Sequence, residues 1–290
     1  MLPFLKLIRY KNLLIILLTQ ILVYLFLREE SSIGDILNPY FLLLALSTFL
    51  IAAAGYMIND YSDVKIDVIN KPEGLLVGKY FSSRWVLVLH LFFNFTGICI
   101  GAFLNYKLGI IDLFTAWLLW RYSVSFKYKL FVGNLVIAFL MALSIIVVYY
   151  PFRDILLQWL LFYACFAFMT GFVREIIKDI EDIEGDAANN CKTIPIVYGM
   201  YKTKIILVYT IVSIITLLLF VIFYFIYQKA IIYPIYLSAF ILFPFLRILM
   251  LLRNADTKKS FSLLSRNLKI MMVLGTLSMA LRWVWINYSI

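Results

Sequence analysis

Long runs of apolar residues recur along the whole chain and constrain its fold more than any other feature. Apolar residues make up 64% of the 290 residues and charged residues only 14%, whereas soluble domains are near half apolar and a quarter charged. A run of about 20 apolar residues is long enough to cross a bilayer as a helix. These figures exclude a soluble fold, a disordered chain and a disulfide scaffold, and they predict an integral membrane protein.

We assign nine membrane-spanning segments to these runs. All nine are expected to be α-helices, because a helix satisfies its backbone hydrogen bonds internally, whereas an open strand in lipid does not. The predicted fold class is therefore an all-α, polytopic membrane bundle, and since no linker or low-complexity segment interrupts it, we expect one domain over residues 1–290. The segments are approximately residues 12–28, 37–58, 85–104, 108–121, 133–150, 154–173, 204–227, 230–251 and 268–288.

The basic residues are divided unequally between the two sides of this arrangement. On one side lie 21 of the 26 Lys and Arg residues, and such connections stay in the cytoplasm. The N-terminus is therefore expected inside and the C-terminus outside, in the cytoplasmic membrane if the cell is bacterial or archaeal. The net charge of +10 is then explained by membrane topology and by attraction to anionic lipid headgroups, not by binding of nucleic acid. Two long connections, residues 59–84 and 174–203, face the cytoplasm, and such connections are often functional.

Each long connection begins with an acidic motif that follows directly on an apolar segment. Each motif has three Asp residues at i, i+3 and i+7, which one helix would place on a single face. The spacing repeats with an offset of 119 residues, which indicates two related halves. Like charges on one face repel one another unless a cation is present, so a shared ligand is favoured over two solvated helix ends. The residues are Asp60, Asp63 and Asp67 in the first motif and Asp179, Asp182 and Asp186 in the second.

Carboxylate oxygens in this number suit a hard cation, Mg²⁺ or Ca²⁺, and Mg²⁺ typically combines a few carboxylates with phosphate oxygens of a substrate. Two opposed acidic faces therefore predict metal ions that bind a diphosphate. The diphosphate also needs basic side chains: Arg binds phosphate bidentately and Lys acts as a point charge. Arg174 and Lys178 are favoured because they stand one turn apart beside the second motif. Each candidate has an alternative explanation, namely that it sets the membrane topology and contacts lipid headgroups. The candidates, all on the cytoplasmic side, are Arg9, Lys71, Lys79, Lys127, Arg174, Lys178 and Lys192.

With these motifs the sequence resembles the UbiA-type intramembrane prenyltransferases over nearly the whole chain. The strongest elements are Asn59-Asp60-x-x-Asp63-x-x-x-Asp67 and Arg174-Glu175-x-x-x-Asp179-x-x-Asp182-x-x-x-Asp186. Supporting elements are Arg9 and Asn12, Asn70-Lys71-Pro72, Tyr122-Ser123 with Lys127, Gly133-Asn134, and Thr193-Ile194-Pro195 with Gly199. Within this family the sequence is most similar to the geranylgeranylglyceryl-phosphate geranylgeranyltransferase branch. This similarity is carried by the residues of the second motif and by Ser265-Arg266-Asn267 before the last segment.

The resemblance implies nine helices around a central cavity that the two long connections cap. It implies Mg²⁺-dependent transfer of a prenyl group from a prenyl diphosphate to a lipophilic acceptor, with geranylgeranylglyceryl phosphate in ether lipid biosynthesis as the first choice. The implied metal ligands are Asn59, Asp63 and Asp67 in one set and Asp182 and Asp186 in the other, with Asp60 and Asp179 as supporting carboxylates. Catalysis would depend on Asp63, Asp67, Asp182 and Asp186, and the diphosphate would contact Arg9, Asn59, Lys71, Tyr122, Lys127, Arg174 and Lys178.

One stretch departs from the family pattern. After Asn70-Lys71-Pro72 the family usually has further basic residues, and here Glu73-Gly74-Leu75-Leu76 follows. This weakens the expectation of a diphosphate-binding cation just beyond Lys71.

Other functions remain open at this point. An aromatic acceptor of a quinone-type pathway fits the residue chemistry equally well. A transporter would place ionisable residues near the bilayer midplane, whereas the predicted segments are nearly free of charge. The single histidine, His90, is expected to be a packed, hydrogen-bonded residue rather than a proton relay. A non-catalytic partner protein is a third alternative. No nucleic acid and no obligate protein partner are inferred.

Overall fold

The computed structural model describes residues 2–29, 32–70 and 72–288, with side chains described as far as Trp285. These residues form helices and connections, with isolated bridges but no β-strand among them, so the all-α fold class is confirmed. All nine predicted segments are helical. The α-helices are α1 Leu2–Leu7, α2 Tyr10–Phe26, α3 Pro39–Ser62, α4 Val64–Asn70, α5 Ser83–Leu104, α6 Tyr106–Val124, α7 Val132–Ile146, α8 Leu157–Glu181, α9 Ile183–Ala188, α10 Ile194–Tyr227, α11 Ile232–Leu237, α12 Phe243–Arg253, α13 Lys258–Leu277 and α14 Ala280–Tyr288.

Not every one of these helices has the length and composition of a membrane span. α2 has only 17 residues, and α6 carries Lys107, Asp112 and Arg121 within its 19 residues. The number of nine spans therefore stays a prediction. In the part of the chain that the structure describes, seven helical segments are long and apolar enough to cross a membrane: Pro39–Ser62, Ser83–Leu104, Val132–Tyr149, Leu157–Glu181, Ile194–Tyr227, Ile232–Arg253 and Lys258–Trp285.

The apolar side chains divide between an interior and an outer surface. One buried cluster lies among α8 and α10–α13, and a second among α2, α3, α7 and α8. On the outside, large apolar residues such as Phe95 and Phe103 of α5 and Phe220 of α10 are 70–78% exposed. Water would make such a surface unfavourable, and contact with lipid removes that cost. The outer surface therefore supports membrane insertion.

The two acidic motifs have the same backbone geometry. α3 ends at Ser62 and α8 ends at Glu181, each one residue before the central aspartate of its motif. The central aspartates have nearly equal dihedrals, φ −90° and ψ 2° at Asp63 and φ −102° and ψ 11° at Asp182. A short helix follows in each case, α4 and α9. The repeat that the sequence indicates is present in the fold, but because each helix is interrupted at its central aspartate, the prediction that one continuous helix carries all three aspartates of a motif is wrong.

The repeat extends to the helix that precedes each motif. α2 and α7 each follow a residue with a positive φ, Arg9 at 49° and Phe131 at 62°. Each helix then has an asparagine as its third residue, Asn12 in α2 and Asn134 in α7. The unit α2–α3–α4 is therefore repeated as α7–α8–α9.

Asn70 joins the two short helices. Its side-chain Nδ2 donates to the backbone oxygen of Asp182 (3.0 Å), and its Oδ1 accepts from the backbone nitrogen of Gly185 (2.9 Å). The Asn70 side chain is buried, and buried amides that are fully hydrogen-bonded hold a defined geometry. The two acidic motifs therefore face one another at the same end of the bundle.

Replacing Gly185 by alanine should loosen this junction. A Cβ atom at position 185 would overlap the Asn70 amide, so we expect a destabilisation of about 1–3 kcal/mol from overpacking, measured by thermal unfolding of the detergent-solubilised protein. Gly34→Ala is the control, because the nearest atom to its Cβ is Ser32 Oγ at 3.8 Å. Equal melting temperatures for the two variants would contradict this account of the junction.

Candidate active site

A cavity of about 380 Å³ lies between α2, α3, α6, α7, α8 and α13. One end is polar and contains the acidic motifs. The other end runs between the helices and is lined mainly by aliphatic and aromatic side chains, among them Ile16, Ile137 and Phe166. The predicted site residues that line the cavity are Arg9, Asn59, Asp63, Asp67, Tyr122, Lys127, Arg174, Lys178, Asp179, Asp182 and Asp186.

Asp63 is held by two neighbouring side chains. The Lys127 ammonium group forms an ion pair with its Oδ1, and Asn59 Nδ2 donates to its Oδ2 at 2.7 Å. Lys127 comes from the short 3₁₀ turn between α6 and α7, and its side chain is only 9% exposed. An ion pair this deep is screened little by water, so Lys127 sets the local charge balance around the first motif.

The first aspartate of each motif is tied to the start of a neighbouring helix. Arg9 Nη2 donates to Asp60 Oδ1 at 2.7 Å, and Asn134 Nδ2 donates to Asp179 Oδ2 at 2.7 Å. Burial lowers the pKa of the Arg9 guanidinium, but attraction to Asp60, Tyr56 and Asp63 together with the hydrogen bond to Asp60 outweighs burial, so the pKa of Arg9 is raised. Asp60 does not line the cavity. These contacts suit the supporting role predicted for both aspartates.

Glu175 forms ion pairs with both basic residues beside the second motif. Its Oε1 lies 3.2 Å from Arg174 Nη1, and both of its carboxylate oxygens accept from Lys178 Nζ, at 3.1 and 3.0 Å. The Glu175 side chain is only 7% exposed. Arg174 Nε is buried and has no hydrogen-bond partner in the part of the chain that the structure describes, so this guanidinium has a donor available for a ligand. The sequence motif contained Glu175 but gave no reason to place it at the site.

Three of the predicted cations are not placed in the cavity. Lys79 and Lys192 do not line it, and Lys79 Nζ lies over the ring of Tyr80 instead, 5.5 Å from its centroid. Lys71 lies outside the described residues.

Two charged residues of the membrane helices also line the cavity, and sequence reasoning missed both. Lys269 of α13 donates from Nζ to Asn12 Oδ1 at 2.5 Å. Asp112 of α6 is buried, and its Oδ2 lies 2.8 Å from Ser47 Oγ. Asp112 is an ionisable residue within the segment predicted over residues 108–121. An ionisable residue inside an apolar segment is the signal that could have found both residues. His90, by contrast, is packed and hydrogen-bonded to the Ala54 carbonyl as predicted.

The donor groups at the polar end fit a hard divalent cation. Asp63 and Asp67 come from one half of the repeat and Asp182 and Asp186 from the other, and all four line one cavity. Among the described residues, no three His, Cys, Asp or Glu side chains are already grouped as a metal site. The donor set nevertheless consists of carboxylate and amide oxygens, which Mg²⁺ prefers, and it leaves coordination positions for phosphate oxygens.

The sequence model of the UbiA prenyltransferase family matches residues 17–276. The chain belongs to this family. It is 30% identical over 280 residues to the digeranylgeranylglyceryl phosphate synthase of Methanosphaera stadtmanae, covering 96% of this chain and 98% of that protein. The resemblance stated from the motifs is therefore confirmed, and the protein is a prenyltransferase with several long apolar helices that make it an integral, multi-pass membrane protein.

Solved structures give the same fold. One of them gives structural and mechanistic insights into the biosynthesis of digeranylgeranylglyceryl phosphate synthase in membranes. It superposes with a TM-score of 0.65 at 25% identity, and the match covers 96% of each chain. A UbiA homolog from Archaeoglobus fulgidus bound to GPP and Mg²⁺ superposes with a TM-score of 0.64 at 17% identity, covering 96% of this chain and 99% of that one. At that identity the second likeness concerns the fold alone.

Replacing Glu175 by glutamine tests the charge balance at the second motif. The change leaves Arg174 and Lys178 beside a neutral amide, so we expect the ligand-free protein to lose about 1–3 kcal/mol of stability. Added inorganic pyrophosphate should raise the melting temperature of this variant more than that of the wild type, because the anion supplies the missing charge. Glu184→Gln, at an exposed position of α9, is the control. An identical pyrophosphate shift in all three proteins would show that Glu175 does not compensate these cations.

Proposed function

We propose that this prenyltransferase is a digeranylgeranylglyceryl phosphate synthase, which transfers a geranylgeranyl group from its diphosphate to geranylgeranylglyceryl phosphate. The observation that carries the proposal is the single cavity that joins carboxylates and cations at one end to an apolar passage at the other. Such a cavity suits a substrate with an anionic head and a long hydrocarbon tail. The full-length match to the Methanosphaera stadtmanae synthase supports the choice of acceptor.

We further propose how the protein sits in the membrane. One domain over residues 1–290 crosses it nine times, with the N-terminus and the polar end of the cavity in the cytoplasm and the C-terminus outside. The distribution of Lys and Arg supports this orientation. The connections that contain α4 and α9 would then cap the cavity from the cytoplasmic side, where a soluble diphosphate head can enter.

Asn59, Asp63 and Asp67 together with Asp182 and Asp186 are the residues that would hold Mg²⁺. When bound there, Mg²⁺ supplies positive charge that stabilises the departing diphosphate. Asp60 and Asp179 keep the motifs in position through Arg9 and Asn134. These assignments rest on the oxygen chemistry of the donor set and on its distribution over both halves of the repeat.

The basic residues of the cavity complete the charge balance of the reaction. Lys127 and Lys178, with Arg9 and Arg174 nearby and Lys71 as a further candidate, would neutralise the diphosphate as its bond to the allylic carbon breaks. The acceptor hydroxyl oxygen then attacks the allylic cation, an ether bond forms and the hydroxyl proton is released. The apolar passage keeps water away from the cation, and the aromatic face of Tyr122 is the candidate group for stabilising it.

A panel of acceptors tests this function directly. Purified protein is incubated with Mg²⁺, geranylgeranyl diphosphate and either geranylgeranylglyceryl phosphate or an aromatic quinone precursor, and products are identified by mass. We expect a product with two ether-linked chains and none from the aromatic acceptor. Exclusive prenylation of the aromatic compound would replace the proposed acceptor, and substrate flux across proteoliposomes without any product would favour a transporter.

Substitution of the central aspartates tests the metal assignment. Asp63→Asn and Asp182→Asn each remove a negative charge from the proposed ligand sets, so we expect transfer to fall at least about 100-fold. The melting temperature of Asp182→Asn should stay within a few degrees, whereas Asp63→Asn should also lose stability because Lys127 loses its ion-pair partner. Asp256→Asn is the control, because Asp256 is 78% exposed and pairs with Lys204 outside the cavity. Chelation with EDTA should abolish wild-type transfer and added Mg²⁺ should restore it. Full activity in either variant would remove the proposed ligand role.

A further inference from the structure

Lys269 is a charged residue of a membrane helix, and the hydrogen-bond partner that it has among the described residues is neutral. Its Nζ donates to Asn12 Oδ1 at 2.5 Å, and both residues line the cavity. In the described part of the chain no carboxylate forms an ion pair with Lys269. An ammonium group without a counter-charge is unfavourable within a membrane bundle, so its presence in the cavity indicates a negatively charged ligand.

Arg174 extends this positive region. It lies close enough to Lys269 for the two charges to repel each other, and no described residue forms a hydrogen bond with its buried Nε. Glu175 is the carboxylate that contacts Arg174, and it is shared with Lys178. Lys269 and the Nε edge of Arg174 therefore form a positively charged region of the cavity. A phosphomonoester, which carries nearly two negative charges near neutral pH, suits such a region.

The reaction needs two anion sites that lie close together but are distinct. The phosphate of a glyceryl phosphate acceptor is attached to the carbon next to the one that carries the reacting hydroxyl group. When that hydroxyl meets the allylic carbon of the donor, the phosphate and the diphosphate are near neighbours and repel one another. Each anion therefore requires nearby cations. Arg9, Lys127 and Lys178 serve the donor beside the acidic motifs, and Arg174 contributes to both anions, since its Nη1 contacts Glu175 of the second motif and its Nε remains for the acceptor.

We propose that Lys269, positioned by Asn12, and the Nε edge of Arg174 bind the phosphate group of the acceptor. This inference rests on the proposed function and adds a residue of α13 to the site. The two residues select a phosphorylated glycerol ether over an alcohol or a phenol of similar shape, because only the phosphate compensates their charge.

Kinetics of Lys269→Gln test the assignment, since glutamine keeps a donor but loses the charge. The KM for geranylgeranylglyceryl phosphate should rise at least tenfold, while the KM for geranylgeranyl diphosphate stays within twofold of the wild type. With the dephosphorylated acceptor, geranylgeranylglycerol, the two proteins should react at equal rates. Lys269→Arg should restore the acceptor KM to within about threefold. An equal rise in both KM values, or no rise in either, would overturn the assignment.

A binding measurement separates this inference from the proposed function. Glycerol 1-phosphate, without donor, should raise the melting temperature of the wild type and of Lys204→Gln, a control at a lysine paired with Asp256 outside the cavity, but not of Lys269→Gln. If Lys269→Gln does not fold, Lys269→Met replaces it. An equal shift in the Lys269 variant and the control would overturn the inference even where the transferase assay succeeds. Transfer only to unphosphorylated acceptors by the wild type would overturn the proposed function as well.

Discussion

The structure depends on a concentration of negative charge at one mouth of an apolar bundle. Like charges repel strongly where little water is present, so each carboxylate needs a partner from elsewhere in the chain. Lys127 provides one for Asp63, Arg9 for Asp60 and Asn134 for Asp179. These partners lie on the connections that precede α2 and α7 or in the first turn of α7. The polar contacts therefore fix where the neighbouring helices begin as well as the geometry of the site.

The internal repeat explains why the carboxylates converge. In each half a long helix ends one residue before the central aspartate and a short helix turns the last aspartate back towards the cavity. Asn70 then connects the halves through the backbone of Asp182 and Gly185. A metal ion between the halves would be held by ligands from both. Binding would therefore stabilise the packing of α4 against α9 that the Asn70 hydrogen bonds already hold.

Much of this could be predicted from the sequence, because helices in lipid and acidic motifs are local features. The apolar runs gave all nine helical segments, and the spacing of the aspartates gave the repeat. The partners could not be predicted, since Lys127 is 64 residues from Asp63 and Lys269 is 257 residues from Asn12, and only the packed bundle brings such pairs together. The break at Asp63 could not be predicted because it is a small departure from a helix. The backbone nitrogen of Asp63 still donates to Asn59 O and that of Asp67 to Asp63 O, as in a continuous helix.

The two halves of the repeat have the same backbone, but their equivalent asparagines bind different partners. This difference bears on how the cavity would bind two different anionic substrates. Asn134 donates its amide to the carboxylate of Asp179, whereas the equivalent Asn12 accepts from the ammonium of Lys269. An amide group serves either purpose, since it has both donors and an acceptor. α13 lies outside the repeated unit and is the helix that introduces the difference. One asparagine therefore stabilises an acidic motif at the site proposed for the donor diphosphate, and the other holds the cation proposed to bind a second anion. On this view the duplicated halves provide the chemistry common to the family, while the choice of acceptor depends on the unduplicated helix.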